Sequence, residues 1–99
     1  MNRELVCKAL DVLETTECKQ GRSQLSTYGS DGWEYCALGI LALNLGINLH
    51  RTDREIYPAL YEMLGSKAIV DRIWHWNDTL RWNFKYIAQQ IKKELRLEC

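Results

Sequence analysis

One stretch of this chain dictates where it must lie. Residues 33–45 carry a single charge, Glu34, and the run Tyr35, Cys36, Ala37, Leu38, Ile40, Leu41, Ala42, Leu43 and Leu45 is apolar nearly all round. A helix of that kind has no face to offer to water and belongs at the centre of a domain. A chain of 99 residues makes one domain, residues 1–99, and burying a helix inside it takes amphipathic partners on several sides. Gly39, in mid-helix, costs about 1 kcal/mol relative to alanine, which predicts that another helix backbone passes close by. Gly46 stands where a left-handed C-cap is expected.

The wrapping segments follow from their periodicity. Residues 4–13 place Val6, Leu10 and Leu13 on one stripe, with Glu4 suiting the helix N-terminus. Residues 17–32 read as a long loop, because Ser23, Ser26, Thr27, Gly29, Ser30, Asp31 and Gly32 are turn formers; Leu25 and Tyr28 are the residues able to pin it to the core. Thr52 and Glu55 have capping-box spacing, but Pro58 would then break a bond inside the helix. The sequence therefore predicts a short turn at 53–56 and a helix with Pro58 near its first position, ended by Gly65. Ser66 caps a helix over 67–74, Asn77-Asp78 reads as a turn, and Asn83 caps a final helix over 84–95. No stretch has a strand pattern. The expected fold is all-α, a single compact domain of four or five helices around the apolar one. Its predicted core is Val6, Leu10, Leu13, Leu38, Leu41, Leu45, Leu60, Leu64, Ile69, Ile73, Ile87 and Ile91.

Charge narrows the function classes. Thirteen basic and 13 acidic residues give a net charge of zero, which argues against a broad basic nucleic-acid face and against an acidic DNA mimic. Residues 58–75 could form a helix-turn-helix, but its second helix carries only Lys67 and Arg72 as basic residues. The charged opening residues do not form a signal peptide and no apolar run is long enough to span a bilayer, so a cytoplasmic protein with no membrane partner is expected. In that reducing setting the four cysteines are read as free thiols, one in the core (Cys36) and three bystanders (Cys7, Cys18, Cys99), although two disulfides could be drawn from them. Their spacings match no zinc pattern, and neither a metal site nor a cofactor is expected.

Two constellations could carry function. Cys36 falls in the opening turn of the central helix, where the dipole favours a thiolate, and with His75, Asn77 and Gln20 it has the composition of a papain-like site. The bland reading of Cys36 is a small buried hydrophobe. Trp74-His75-Trp76-Asn77-Asp78, with Trp82 nearby, is the second: tryptophans at i and i+2 cannot both face the core, so one lines the surface or a cleft beside an amide and a carboxylate. The bland reading turns Trp76 inward and leaves Asn77 and Asp78 bonded to local backbone. Arg22, Lys19 and Gln20 in the long loop could meet a phosphate or carboxylate. Arg81, Lys85, Lys92, Lys93 and Arg96 read as a solvated helix face diluted by Glu94 and Glu98.

Three segments taken together, Cys18-Lys19-Gln20-Gly21 with Leu25, Tyr35-Cys36-Ala37-Leu38-Gly39-Ile40-Leu41, and Trp76-Asn77-Asp78 with Phe84-Lys85-Tyr86-Ile87-Ala88, resemble a family of small uncharacterised phage and bacterial proteins. That resemblance implies a phage setting within a bacterial host and no established activity. It groups Gln20, Gly21, Tyr35, Cys36, Gly39, Asn77 and Asp78 as residues that act together, either around a pocket or in tying down the long loop. The expected function is a non-catalytic binding protein that occupies a host protein or sequesters a small ligand, as an antagonist of host defence, through Gln20, Arg22, Tyr35, Trp74, Asn77, Asp78 and Trp82. A homo-oligomer would cover the surplus aromatic surface. The alternative is a cysteine-dependent hydrolase or transferase using Cys36, His75 and Asn77.

Overall fold

The apolar helix takes the centre, and four amphipathic helices and a small sheet surround it. The computed structural model describes residues 1–22, 24–29 and 32–99. Along these the order is α1 (Arg3–Thr15), β1 (Lys19–Gln20), β2 (Ser26–Gly29), β3 (Gly32–Tyr35), α2 (Ala37–Asn44), α3 (Asp53–Leu64), α4 (Lys67–Asp78) and α5 (Phe84–Glu94). The fold is all-helical with a minor β-hairpin. Residues 37–42 of α2 are buried throughout, with α1 and α4 packed on the helix and α5 closing against both α1 and α4. Every residue of the predicted core is buried. No helix among the described residues is long and apolar enough to cross a membrane.

Helix ends obey their capping residues. Asn2, Ser66 and Asn83 accept bonds from Leu5, Ile69 and Tyr86 N–H at 3.1, 3.3 and 2.8 Å, starting α1, α4 and α5. Gly46 and Gly65 sit at φ +80° and +93°, just past α2 and α3, where a side chain would be strained. Polar contacts then tie α5 to its neighbours. Lys92 Nζ lies 3.0 Å from Asp11 and 2.8 Å from Glu14 of α1, and Arg72 of α4 reaches Glu94 at 2.8 Å. The hydrogen bond from Lys92 holds the Glu14 carboxyl below its ordinary pKa. One member of the basic group is thus spent on helix packing.

The structure corrects several expectations. Trp33, Glu34 and Tyr35 form β3, not the first turn of the central helix, which starts only after Cys36. Cys36 is extended (φ −80°, ψ 169°) because its N–H still bonds to Leu25 carbonyl at 3.2 Å, continuing the sheet. The loop 17–32 contains two strands: β2 pairs antiparallel with β3, and β1 pairs parallel on the other side of β3, in the order β1-β3-β2. Leu25 pins the segment to the core, whereas Tyr28 is 71% exposed; Ser23, Ser30 and Asp31 lie outside the described residues. The neighbour that Gly39 accommodates is the backbone of Leu25, not a helix: a β-carbon there would drive into the Leu25 carbonyl group.

Pro58 lies well inside α3, which begins at Asp53. The break is tolerated because Pro58 and Arg54, whose carbonyl loses its partner, are both exposed to water. Finally, the cysteines are not all free. Cys7 of α1 and the C-terminal Cys99 form a disulfide across 92 residues of sequence, with Cα atoms 5.4 Å apart, leaving Cys18 exposed and Cys36 buried as thiols. A cross-link of that span removes much of the unfolded chain's freedom, about 4.6 kcal/mol on a chain-entropy estimate. Reduction with a phosphine should lower the thermal midpoint by roughly 10 °C or more, read by circular dichroism, and Cys7→Ser should reproduce the loss without reductant.

Candidate functional site

Asn77 is fully buried, at 0% exposure, and is the buried polar side chain among the described residues. It stands in the last turn of α4, which runs on to Asp78 instead of ending in a turn after Trp74. Its Oδ1 accepts from Gln20 Nε2 at 2.8 Å and from the Ala37 N–H at 3.0 Å. Its Nδ2 donates to the Gly21 carbonyl at 3.0 Å and to Asp78 at 2.7 Å. A carboxamide offers two donors and two acceptor lone pairs, so this one is saturated. Gln20 donates a second bond to the Trp82 carbonyl at 2.8 Å. Gly21 packs closely on β3: a β-carbon there would sit 3.2 Å from Glu34 Cβ, a tight contact that would push the two apart slightly.

These bonds join the segment after α1, the start of α2, and the α4–α5 connection. Gln20, Gly21, Asn77 and Asp78, grouped by the resemblance, do come together, with Cys36 and Gly39 in the adjoining turn of α2. What they build is a structural joint. The Ala37 N–H is one of the orphan donors of a helix N-terminus, and Asn77 satisfies it from another helix. Asn77 bonds to distant segments as well as to Asp78 beside it, so its partners are not only local backbone.

Cys36 is the N-cap of α2: its Sγ accepts from the Gly39 N–H at 3.4 Å. The residue is 5% exposed, and burial pushes the thiol pKa up to about 11, outweighing the helix amides that favour the thiolate. His75 lies on the exposed side of α4. The papain-like set is thus divided, with its amides engaged in the joint and its thiol buried as a cap. Arg22 is exposed and Tyr35 is half-buried in β3.

The aromatic residues divide as the i, i+2 spacing requires. Trp76 is buried, and Trp74 is 46% exposed. Trp82 stacks on Trp76 (centroids 5.3 Å, planes 21° apart), and Tyr86 meets Trp82 edge-on at 4.7 Å. Trp82 is therefore largely a packing residue.

The more open aromatic surface is on the hairpin, at Tyr28 and Trp33, which the sequence did not single out as a site, beside Tyr35, which it did. Ser26 faces Tyr35 and Tyr28 faces Trp33 across the β2–β3 ladder, so these four side chains share one sheet face. Tyr28 and Trp33 touch edge-to-face with centroids 5.3 Å apart, and Trp33 is 54% exposed. Beside them a groove of about 260 Å³ is lined by Ser26, Trp33, Tyr35, Leu43, Leu49 and His50. A second hollow of about 260 Å³, lined by Gln24, Leu25, Asp53, Ile56 and Tyr57, shares Ser26 and Leu49 with it. The signal in the sequence was the aromatic alternation either side of Gly29-Ser30-Asp31-Gly32, hidden because Trp33 and Tyr35 also extend the helical apolar pattern.

Comparison with protein-family models, with curated proteins and with solved structures finds no match for the chain.

Two measurements test the joint. Asn77→Ala strands the Ala37 N–H, the Gly21 carbonyl and Gln20, and should cost about 3 kcal/mol or more in urea unfolding. With the disulfide intact, a thiol reagent at mild alkaline pH should label Cys18 quickly and Cys36 about 100-fold more slowly, in line with its raised pKa. Equal rates would restore Cys36 as a reactive group.

Proposed function

We propose that the chain is a small non-catalytic binding protein whose contact surface is the aromatic hairpin face and the groove beside it. The observation that carries this reading is the pair Tyr28 and Trp33, 71% and 54% exposed, touching one another beside a groove lined in part by Leu43 and Leu49. Large aromatic rings left in water are costly to keep and are enriched where a protein meets a partner. Ser26, Tyr35 and His50 add polar atoms around an apolar floor, the composition of a ligand or peptide pocket.

The residues with the composition of a catalytic set support this reading by their other employment. Gln20 and Asn77 hold the joint and Cys36 caps a helix. We further propose that the setting is the phage one implied by the motif resemblance, with a host protein or a small host ligand as the target and antagonism of host defence as the outcome. Trp74 would then be an outlying contact and Arg22 a peripheral one.

The test is native mass spectrometry and pull-down from bacterial lysate and metabolite extract, comparing the chain with Trp33→Ser and Leu43→Lys variants. Both residues are substantially exposed, so the variants should melt within a few degrees of the parent. A bound species retained by the parent and reduced at least tenfold in both variants is the expected result. No species that depends on Trp33 or Leu43 would remove the reading.

A further inference from the structure

Among the described residues one edge of the hairpin has no strand beside it, and its hydrogen-bonding pattern says which groups face out. The sheet order β1-β3-β2 puts β2 at the rim. Leu25 carbonyl bonds to Cys36 N–H, so Leu25, and by alternation Thr27 and Gly29, direct their backbone groups towards β3. Ser26 and Tyr28 therefore direct theirs away from the sheet. Edge strands are ordinarily guarded by a charge, a proline or a bulge. Residues 26–29, Ser-Thr-Tyr-Gly, carry neither charge nor proline.

This edge is self-complementary. If two copies align their β2 strands antiparallel about a two-fold axis at Thr27, Ser26 of each copy falls opposite Tyr28 of the other. Those two pairs are the hydrogen-bonded ones, because both residues present outward N–H and C=O groups. Four backbone bonds form with no shift of register. Paired residues point to the same face, so Tyr28 of one copy stands beside Ser26 of the other, about 5.5 Å away between Cα atoms. Ser26 is the small residue shared by the two hollows. The exposed Tyr28 of the second copy thereby comes to the Ser26 side of the groove and adds an aromatic ring to its lining.

We propose that a second copy of this chain completes the groove by antiparallel β2–β2 pairing, so that the binding surface is built from both copies. This rests on the groove being the contact surface, as proposed above. Charge fits an identical partner: the chain is neutral overall and its β2 edge is uncharged, so like copies meet without repulsion. Area fits too. Full burial of a tyrosine removes about 150–250 Å² of surface, and Tyr28 is 71% exposed in each copy. The covered area lies at the small end of specific interfaces, below about 1,200 Å², the size class of transient associations, so the micromolar range is the one to survey.

Sedimentation velocity of the oxidised chain over that range should show the mass doubling with concentration, and Tyr28→Lys should raise the dissociation constant at least tenfold while leaving the melting curve in place. Register is read by cross-linking in a Cys18→Ser background. Thr27→Cys sits against itself across the axis, about 4.5 Å between Cα atoms, and should form a disulfide-linked dimer on air oxidation. Ser26→Cys lies beyond the roughly 7 Å limit from its own copy and should not. A chain that stays monomeric at every concentration, or a dimer that Ser26→Cys links as readily as Thr27→Cys, overturns the proposal. The ligand experiment separates the two ideas: a monomer that still binds through Trp33 removes only the dimer, and a Thr27-linked dimer that binds nothing removes only the binding role.

Discussion

The four hydrogen bonds of the Asn77 carboxamide are what the rest of this structure depends on. Apolar burial drives α2 into the centre, but it is non-directional and would accept several ways of wrapping the other segments around that helix. A fully buried amide accepts few. Left with an unpaired atom it would cost about 1–3 kcal/mol, so arrangements that misplace Gln20, Gly21 or Ala37 are penalised together. The joint thereby fixes where the segment after α1 runs, where α2 begins and how far α4 extends. Once the chain from Lys19 onward is held, β3 has a partner on one side, Leu25 reaches Gly39, and the hairpin is set on the surface of α2.

This arrangement separates polar from aromatic roles. Side chains with the composition of a reactive centre are consumed in holding backbone: Gln20 and Asn77 as bridges and Cys36 as a helix cap whose thiol burial keeps neutral. The aromatic residues of α4 and α5 are likewise mostly committed, with Trp76, Trp82 and Tyr86 in one stack. Among the described residues the most exposed aromatic rings are the hairpin pair, Tyr28 and Trp33, over a groove provided by α2 and the connection after it, with Trp74 exposed apart from them on α4. Rigidity on one side and exposed aromatic area on the other is the combination expected of a recognition surface. The disulfide between Cys7 and Cys99 adds to that rigidity by holding the C-terminal residues on α1.

Helix placement was legible from local rules because those rules act within a few residues. Asn2 aside, the caps Ser66 and Asn83, the stops Gly46 and Gly65, and the apolar stripes of α1, α4 and α5 each depend on spacing along the chain, and each predicted core residue is buried. Errors arose where a distant contact overrode the local signal. Trp33 and Tyr35 continue a helical apolar pattern yet form a strand because β1 and β2 flank them. Asn77 has the chemistry of a turn residue yet stays helical because its side chain has four partners elsewhere. Pro58 breaks one bond in α3 at a place where water replaces it.

By itself, then, the sequence determined the fold class, the central helix and the identity of the core, since hydrophobic periodicity and end-capping are encoded within a helix turn or two. It also marked Gln20, Cys36 and Asn77 as a group. Only the tertiary structure decided what that group is for, which aromatics remain in water, and that two of the four cysteines are joined. The first and last of those outcomes turn on groups separated by roughly 40 to 90 residues meeting in space, and the free energy of such a meeting resides in the assembled whole, where no local pattern records it.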